Sequence, residues 1–241
     1  MEWWKDYFDE VYFRLYQGLE KVEIVQREVD FIERALELKK GMMVLDIACG
    51  SGRHVIELEK RGYEVIGIDY SGYLISVAKR RSEKVKWVRG DMRNLPFKEY
   101  FDAAYIFFTA FGYFQDEENL KTLMEVNRVL KKEGKFLLEL INPFWVLDRF
   151  QRRMWFEGEG ILCLEENEFD LHSMRVHSKR KIMKDGKVVD EREHSIRIYL
   201  PGELSFLLNL SGFIVKNLYG DHSLSPFERN SRRLIILAEK G

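Results

Sequence analysis

Two rhythms of apolar and polar positions divide this chain. In the first forty residues, apolar side chains recur at helical spacing: Trp3, Trp4, Tyr7, Phe8, Tyr12, Phe13 and Tyr16, then Val25, Val29, Ile32, Ala35 and Leu36. That spacing predicts helix over MEWWKDYFDEVYFRLYQG and again over VQREVDFIERALEL. KKG then ends the helix, and MMVLDIA begins a short, almost wholly apolar run that suits a parallel strand buried on both faces. A regular alternation follows, with helix over 53–61, strand over 63–69, helix over 71–83 capped by Ser71, strands over 84–91 and 101–108, helix over 118–131 and strand over 135–141. Strand–helix repeats of this kind predict a doubly wound, mostly parallel α/β sheet.

After residue 150 the rhythm changes to period two. WFEGEGILCLEENEFD, LHSMRVHSKRKIMKDG and KVVDEREHSIRIYL read as three long strands, with Asp185-Gly186 as a hairpin turn and another turn at 170–173. The pattern then returns to a helix starting at Pro201 and two closing strands, FIVKNLYG and RRLIILAEK. The expected organisation is a helical lid over 1–40, a ligand-binding core over 41–150, an antiparallel insertion over 151–200, and closing elements of the core over 201–241.

Composition narrows the function. With 39 basic and 40 acidic side chains in 241 residues and no long run of one sign, a dedicated nucleic-acid or membrane surface is not expected. Two distant cysteines, Cys49 and Cys163, make neither a disulfide framework nor a zinc set, and the histidines show no metal-ligand spacing. The absence of a leader pattern or bilayer-length apolar run predicts a cytoplasmic protein, and the abundance of Lys, Glu and Arg leans towards a heat-adapted source.

The chemistry concentrates in VLDIACGSGRH, residues 44–54. A dinucleotide fingerprint wants a third glycine where Val55 stands, and no Gly-Lys-Ser/Thr is present for a phosphate loop. Asp46 would repel a pyrophosphate and suits an ammonium group. Asp69 ends the next strand, where a carboxylate can take both ribose hydroxyls. Asp91 ends the strand after that, in reach of an adenine amino group, and Tyr70 can lie against the adenine face. Three acids at consecutive strand ends make a site for a cationic adenosine ligand.

VLDIACGSGRH, VIGIDYS and VRGDMRNLPF together resemble the successive motifs of the Rossmann-like S-adenosylmethionine-dependent methyltransferases. The resemblance implies that Gly50 and Gly52 let the backbone approach the cofactor, with main-chain contact from Ala48. It places the ribose on Asp69 and the adenine on Asp91 and the Met92 backbone. Phe107, which opens FFTAFGYF, joins the cofactor set, as do Arg27 and Arg53 as candidates for its carboxylate.

YFRLYQG, FGYF and YLPGELSFLLNLSGF narrow the similarity to small-molecule N-methyltransferases, especially sugar N,N-dimethyltransferases. By position, Tyr12 and Tyr113 match the residues bordering the methyl acceptor there, and are the candidate catalytic pair. Those enzymes can carry histidine at the second position, so Tyr113 is a departure. INPF at 141–144 makes Asn142 and Phe144 candidates for the pocket lining, and SPFERNSRR offers Arg232 or Arg233 to an anionic substrate.

The expectation is therefore methyl transfer from S-adenosylmethionine to nitrogen or oxygen of a small molecule, without a metal. The insertion would form the acceptor pocket or a homodimer contact. Two rivals remain: an RNA or protein methyltransferase using RFQRR and SKRK as a basic surface, and a non-catalytic adenosylmethionine-binding module. A pocket closed by the N-terminal helix would disfavour the latter, and an open groove would favour it.

Overall fold

In the computed structural model, which describes residues 2–241, the predicted helical start is broken in two. Helix α1 (Trp4–Tyr7) stops at Phe8, and Asp9 caps α2 (Glu10–Tyr16) by accepting the Tyr12 amide at 3.1 Å. An aspartate halfway along the expected helix competes with the helical backbone and starts a new element instead. A 3-10 turn then leads into α3 (Val22–Leu36), whose buried face carries Val25, Glu28, Val29, Ile32 and Leu36.

The core follows as β1 (Met43–Ile47), α4 (Arg53–Lys60), β2 (Glu64–Asp69), α5 (Gly72–Arg81), β3 (Lys86–Arg89), β4 (Phe101–Ile106), α6 (Asp116–Val129) and β5 (Leu130–Ile141). Ser71 caps α5 as predicted, its hydroxyl accepting the Leu74 amide at 3.1 Å. A short helix, α7 (Pro143–Asp148), precedes four antiparallel strands: β6 (Arg153–Gly158), β7 (Ile161–Asp170), β8 (Arg175–Lys184) and β9 (Lys187–Arg197). Helix α8 (Pro201–Leu210) and strands β10 (Phe213–Tyr219) and β11 (Arg233–Lys240) close the chain.

The insertion thus has four strands where three were expected. The first expected strand folds back on itself at Glu159-Gly160, both left-handed with φ of 50° and 72°, the geometry of a two-residue hairpin loop. Glutamate is not a usual first residue for such a turn, so the sequence carries only the glycine as a signal.

Seven strands form the main sheet in the order β3-β2-β1-β4-β5-β11-β10, parallel except for β11, which is antiparallel to both neighbours. Helices α3, α4 and α5 pack on one face and α6 and α8 on the other. Strand side chains such as Ile47, Ile106 and Leu138 are sealed from solvent, each contributing ~1.5–3 kcal/mol by burial. A third, smaller apolar cluster joins Leu15 of α2 to Ile161, Cys163 and Ile182 of the insertion. The N-terminal segment is therefore fastened to the second sheet as well as to the first. No helix among the described residues is long and apolar enough to cross a membrane.

Candidate active site

The carboxyl ends of β1, β2 and β3 converge under the N-terminal segment, as a parallel sheet with a strand-order reversal between β1 and β4 requires. The cavity there is lined from below by Asp46, Ala48, Gly50, Asp69, Tyr70, Asp91, Met92 and Phe107. From above it is lined by Trp4, Phe8, Tyr12, Phe13 and Tyr16. Arg53 and Tyr113 also border it.

The turn after β1 is built for close approach. Ala48, Gly50 and Gly52 all have positive φ, and a side chain added at Gly50 would meet nothing nearer than Leu74 at 4.0 Å. Asp69 fixes this turn: one carboxylate oxygen accepts the Gly50 amide at 2.8 Å and the other accepts the Ser71 amide at 2.7 Å. Burial pushes the Asp69 carboxyl up, and those amides oppose the shift.

Asp46 is more isolated. Its one hydrogen bond comes from the Tyr105 hydroxyl at 2.9 Å, and burial raises its pKa to about 8. Among the described residues neither Asp46 nor Asp69 has a basic partner within ion-pair distance. Two buried carboxylates without counter-ions, beside an open glycine backbone, are a donor set complementary to a ligand that is cationic and carries vicinal hydroxyls. S-adenosylmethionine fits that description.

The Asp46 shift carries a sign. Its folded pKa lies above the ordinary 3.8, so the unliganded protein loses stability as pH rises from there to about 8. A ligand ammonium beside Asp46 favours the carboxylate, so binding below that pH expels a proton. Affinity for S-adenosylhomocysteine is expected to rise with pH up to about 8, at most ~tenfold per unit. Calorimetry from pH 6 to 8 in buffers of different ionisation enthalpy measures both slope and proton release. An equal slope in Asp46→Asn would refute the assignment.

Two of the predicted cofactor residues lie elsewhere. Arg27 is exposed on α3 and outside the cavity. Helical phase turns the next residue, Glu28, inward instead, where it receives Arg53 and His54, the latter at 2.9 Å. Burial alone would raise Glu28, but its histidine and arginine partners hold it at about 2. Burial and the Arg53 charge lower His54 to about 4. Gly52 is likewise outside the lining. A Cβ there would lie 2.3 Å from the Trp87 ring, so this glycine serves the packing of the turn on β3.

Asn142 and Phe144 also fall outside both ligand cavities. Fully buried Asn142 caps α7, and its amide donates to the carbonyls of Ser231 at 2.6 Å and Arg229 at 3.0 Å. It holds the loop before β11.

A second cavity adjoins the first, between the N-terminal segment, the insertion and the start of β11. The two share one wall: Phe8, Tyr12, Tyr16, Phe108 and Tyr113. Tyr12 and Tyr113, 101 residues apart in the chain, are thus brought to the same partition by α2 on one side and the FGYF loop on the other. Burial raises both hydroxyls above the ordinary tyrosine range, so both stay neutral. Phe108 and Thr109 hold left-handed φ of 60° and 57°, a local strain of ~1–3 kcal/mol each that concentrates at this partition.

The far side of the second cavity is basic and includes both arginines that SPFERNSRR offered, joined by Arg180 and His194, which no motif assigned to this site. Arg180, Arg232 and Arg233 line it with His194. Arg180 pairs with Glu165, and Arg233 with Glu139. Arg232 is exposed at the rim and has no carboxylate partner among the described residues. His194 meets the Tyr7 hydroxyl at 3.2 Å, and burial beside Arg180 lowers it to about 3. The N-terminal helix closes over the site, with Trp4, Tyr7 and Leu15 buried.

Comparison with known proteins agrees with this geometry. Residues 44–134 match the family model of a methyltransferase domain. The chain is 27% identical to the putative methyltransferase YqeM of Bacillus subtilis over 206 residues, 82% of this chain and 83% of that one. Other curated relatives are matched over about half of their own length, 55% and 50% in two cases. Among solved structures, a S-adenosylmethionine-dependent methyltransferase from Clostridium acetobutylicum superposes with a TM-score of 0.80 at 20% identity, covering 96% of both chains. The sugar N-methyltransferase KedS8 from Streptoalloteichus superposes at 0.73 and 20% identity, over 96% of this chain and 93% of that one. The chain therefore carries a methyltransferase domain over residues 44–134, and its fold is that of the S-adenosylmethionine-dependent methyltransferase on which it superposes.

Proposed function

We propose that the methyl acceptor is a small molecule held in the second cavity, and that its nitrogen or oxygen attacks through the aromatic partition. The observation that carries this reading is the shared wall of Phe8, Tyr12, Tyr16, Phe108 and Tyr113 between two adjoining cavities of opposite character. Carboxylates furnish the first, and guanidinium groups the second.

When bound, S-adenosylmethionine supplies an electrophilic methyl carbon on a sulfonium. On the cofactor side, Asp69 takes the ribose hydroxyls, Tyr70 and Met92 flank the adenine with Asp91 at its edge, and Asp46 receives the ammonium end. Ala48 and Gly50 present backbone at close range, Phe107 closes the floor, and Arg53 stands near the carboxylate end. On the acceptor side, the neutral hydroxyls of Tyr12 and Tyr113 hold the lone pair in line with the methyl carbon. Such alignment supplies up to ~7–11 kcal/mol in favourable cases. Bound there, the cofactor would give up its methyl group and leave as the neutral thioether, while a tyrosine hydroxyl would pass the acceptor's proton to solvent. The dry aromatic wall excludes water from a step that disperses charge.

The basic side of the second cavity favours an acceptor that also carries a carboxylate or phosphate, met by Arg232. Likeness to a sugar N-methyltransferase supports an amine on a sugar-sized molecule. An RNA acceptor finds less support, because the SKRK segment is neutralised across the sheet: Lys179 lies 3.1 Å from Glu193, Lys181 lies 3.8 Å from Glu191, and Arg180 pairs with Glu165. A cytoplasmic place and a heat-adapted source remain consistent with two unpaired cysteines and with networks such as Arg61 with Asp30, Glu33 and Glu57.

The test is transfer of labelled methyl from S-adenosylmethionine to a panel of amino sugars, amino acids and hydroxy acids, each with and without an anionic group. Transfer to a member bearing both a nucleophile and an anion is expected. Transfer only to RNA or protein, with strong salt dependence for RNA, would overturn the small-molecule reading.

A further inference from the structure

Arg93 stands four residues beyond β3, in the segment VRGDMRNLPF, and its guanidinium joins four parts of the molecule. Its edge clamps Asp91, with Nε 3.1 Å from Oδ1 and Nη2 2.7 Å from Oδ2. Nη1 reaches Glu118 in the first turn of α6. Its Cζ also lies against two rings, 4.7 Å from the Trp4 ring of the N-terminal segment and 4.3 Å from the Phe114 ring of the FGYF loop. Those rings meet edge-on at 5.3 Å, and Trp4 in turn meets Tyr70 at 4.6 Å and 80°.

Asp91, Trp4, Tyr70 and Phe114 all face the cofactor cavity, and Phe114 directly follows Tyr113 of the acceptor partition. The geometry points to Arg93 as a positioning residue that fastens the N-terminal lid over the adenosine end of the cofactor cavity and sets the acceptor loop against it. This inference rests on the cofactor reading above and adds a coupling between lid, loop and cofactor that Asp91 alone does not provide.

The physical basis is the shape of the guanidinium. A guanidinium binds a carboxylate with two nitrogens at its edge and, being weakly hydrated, also lies against aromatic rings, which an ammonium does less well. When Trp4 lifts away, Arg93 loses one ring contact, Tyr70 loses its cover, and the Asp91 carboxylate loses part of what orients it. A ligand held by Tyr70 and Asp91 therefore favours the closed lid, and the closed lid favours that ligand by the same factor. Closure also brings Phe8 and Tyr12, which follow Trp4 on the same segment, to the acceptor partition.

The test is a double-mutant cycle on binding of S-adenosylhomocysteine by calorimetry, using wild type, Arg93→Met, Trp4→Ala and both together. Limited trypsin cleavage at Arg14 and Lys21 with and without that ligand, and thermal midpoints, complete it. Each single variant is expected to weaken binding about tenfold, and the double variant little more than the weaker single. In Arg93→Met the ligand is expected no longer to protect Arg14 and Lys21, although the unliganded midpoint moves only slightly. A merely structural role would lower the midpoint and leave ligand-dependent protection intact. Arg93→Lys keeps the charge and loses the two-nitrogen fork on Asp91, and carries the same test if the methionine variant does not fold. Losses that multiply in the double variant, or full protection in Arg93→Met, overturn the coupling and leave the cofactor reading standing. A wild type that binds no S-adenosylhomocysteine overturns both.

Discussion

Asp69→Ala is expected to weaken S-adenosylhomocysteine binding by ~10²–10⁴-fold, the largest effect of any single change in the site. The carboxylate serves two purposes at once. It accepts the Gly50 and Ser71 amides at 2.8 and 2.7 Å, which fixes the turn over which the ligand lies. It is also the group we propose takes the ribose hydroxyls. Hydrogen bonds to a charged acceptor are each worth ~1.5–3 kcal/mol, so losing the two on the ribose removes ~3–6 kcal/mol before any loosening of the turn. Asp69→Asn should fall between, because an amide keeps one acceptor oxygen but turns a donor towards an N–H. Calorimetric titration of wild type and both variants measures this, with NADH as the control ligand and thermal midpoints to separate binding from folding. Affinity in Asp69→Ala within threefold of wild type, or wild-type binding of NADH in place of S-adenosylhomocysteine, would sink the assignment of this cavity.

Removing residues 2–20 is expected to abolish turnover, by ~10²-fold or more, while S-adenosylhomocysteine binding falls only about tenfold. The asymmetry comes from what the segment contributes. To the cofactor it gives a cover, chiefly Trp4 on Tyr70. To the acceptor it gives Phe8, Tyr12 and Tyr16, three of the five residues in the partition. The truncation also exposes Ile161, Cys163 and Ile182, against which Leu15 packs, so its thermal midpoint must be followed alongside. Tyr12→Phe is the milder companion, keeping the packing and removing only the hydroxyl. It should retain cofactor binding and lose part of the rate with the acceptor identified by the methyl-transfer panel. Unchanged turnover in the truncated protein would show that the segment is not a lid.

The hydrogen bonds that hold this segment explain why it sits where it does. Arg192 of β9 donates to the Tyr7 carbonyl at 2.9 Å and to Asp9 at 2.9 and 2.7 Å, and Ser71 donates to the Phe8 carbonyl. Arg53 reaches the Leu19 carbonyl at 3.2 Å, and Ser51 meets Glu20. Insertion and core therefore grip the same segment from opposite sides. On the insertion side, Arg175 ties the acceptor loop, donating to the Phe114 carbonyl at 2.9 Å and to the Gly112 and Tyr113 carbonyls at 3.3 Å.

Much of this was legible in the chain before any coordinates. Buried parallel strands must be apolar on both faces, so MMVLDIA, YEVIGID and FDAAYIFF announce themselves, and a carboxylate at the end of such a run is out of place unless it meets something polar. The positions of Asp46, Asp69 and Asp91 at successive strand ends follow directly, because parallel strands point their ends to one edge. Where local chemistry competed with a periodic pattern, the reading failed. Asp9 broke a helix whose aromatic spacing continued through it, Glu159-Gly160 turned a strand whose alternation continued through it, and one step of helical phase exchanged Arg27 for Glu28.

What the sequence determined by itself is the cofactor half of the protein: the doubly wound sheet, the glycine turn and the strand-end acids, all set by local period and by the direction of parallel strands. In the acceptor half, the sequence picked out Tyr12, Tyr113 and the pair Arg232 and Arg233 singly, but how the second cavity is assembled around them was decided only by tertiary structure. Its partition joins Phe8, Tyr12 and Tyr16 to Phe108 and Tyr113, and its basic side joins Arg180 and His194 of the insertion to Arg232 and Arg233. These groups come from four separate segments with no shared spacing. Their meeting depends on how the lid and the second sheet pack against the first, which is a property of complementary surfaces and leaves no periodic trace along the chain.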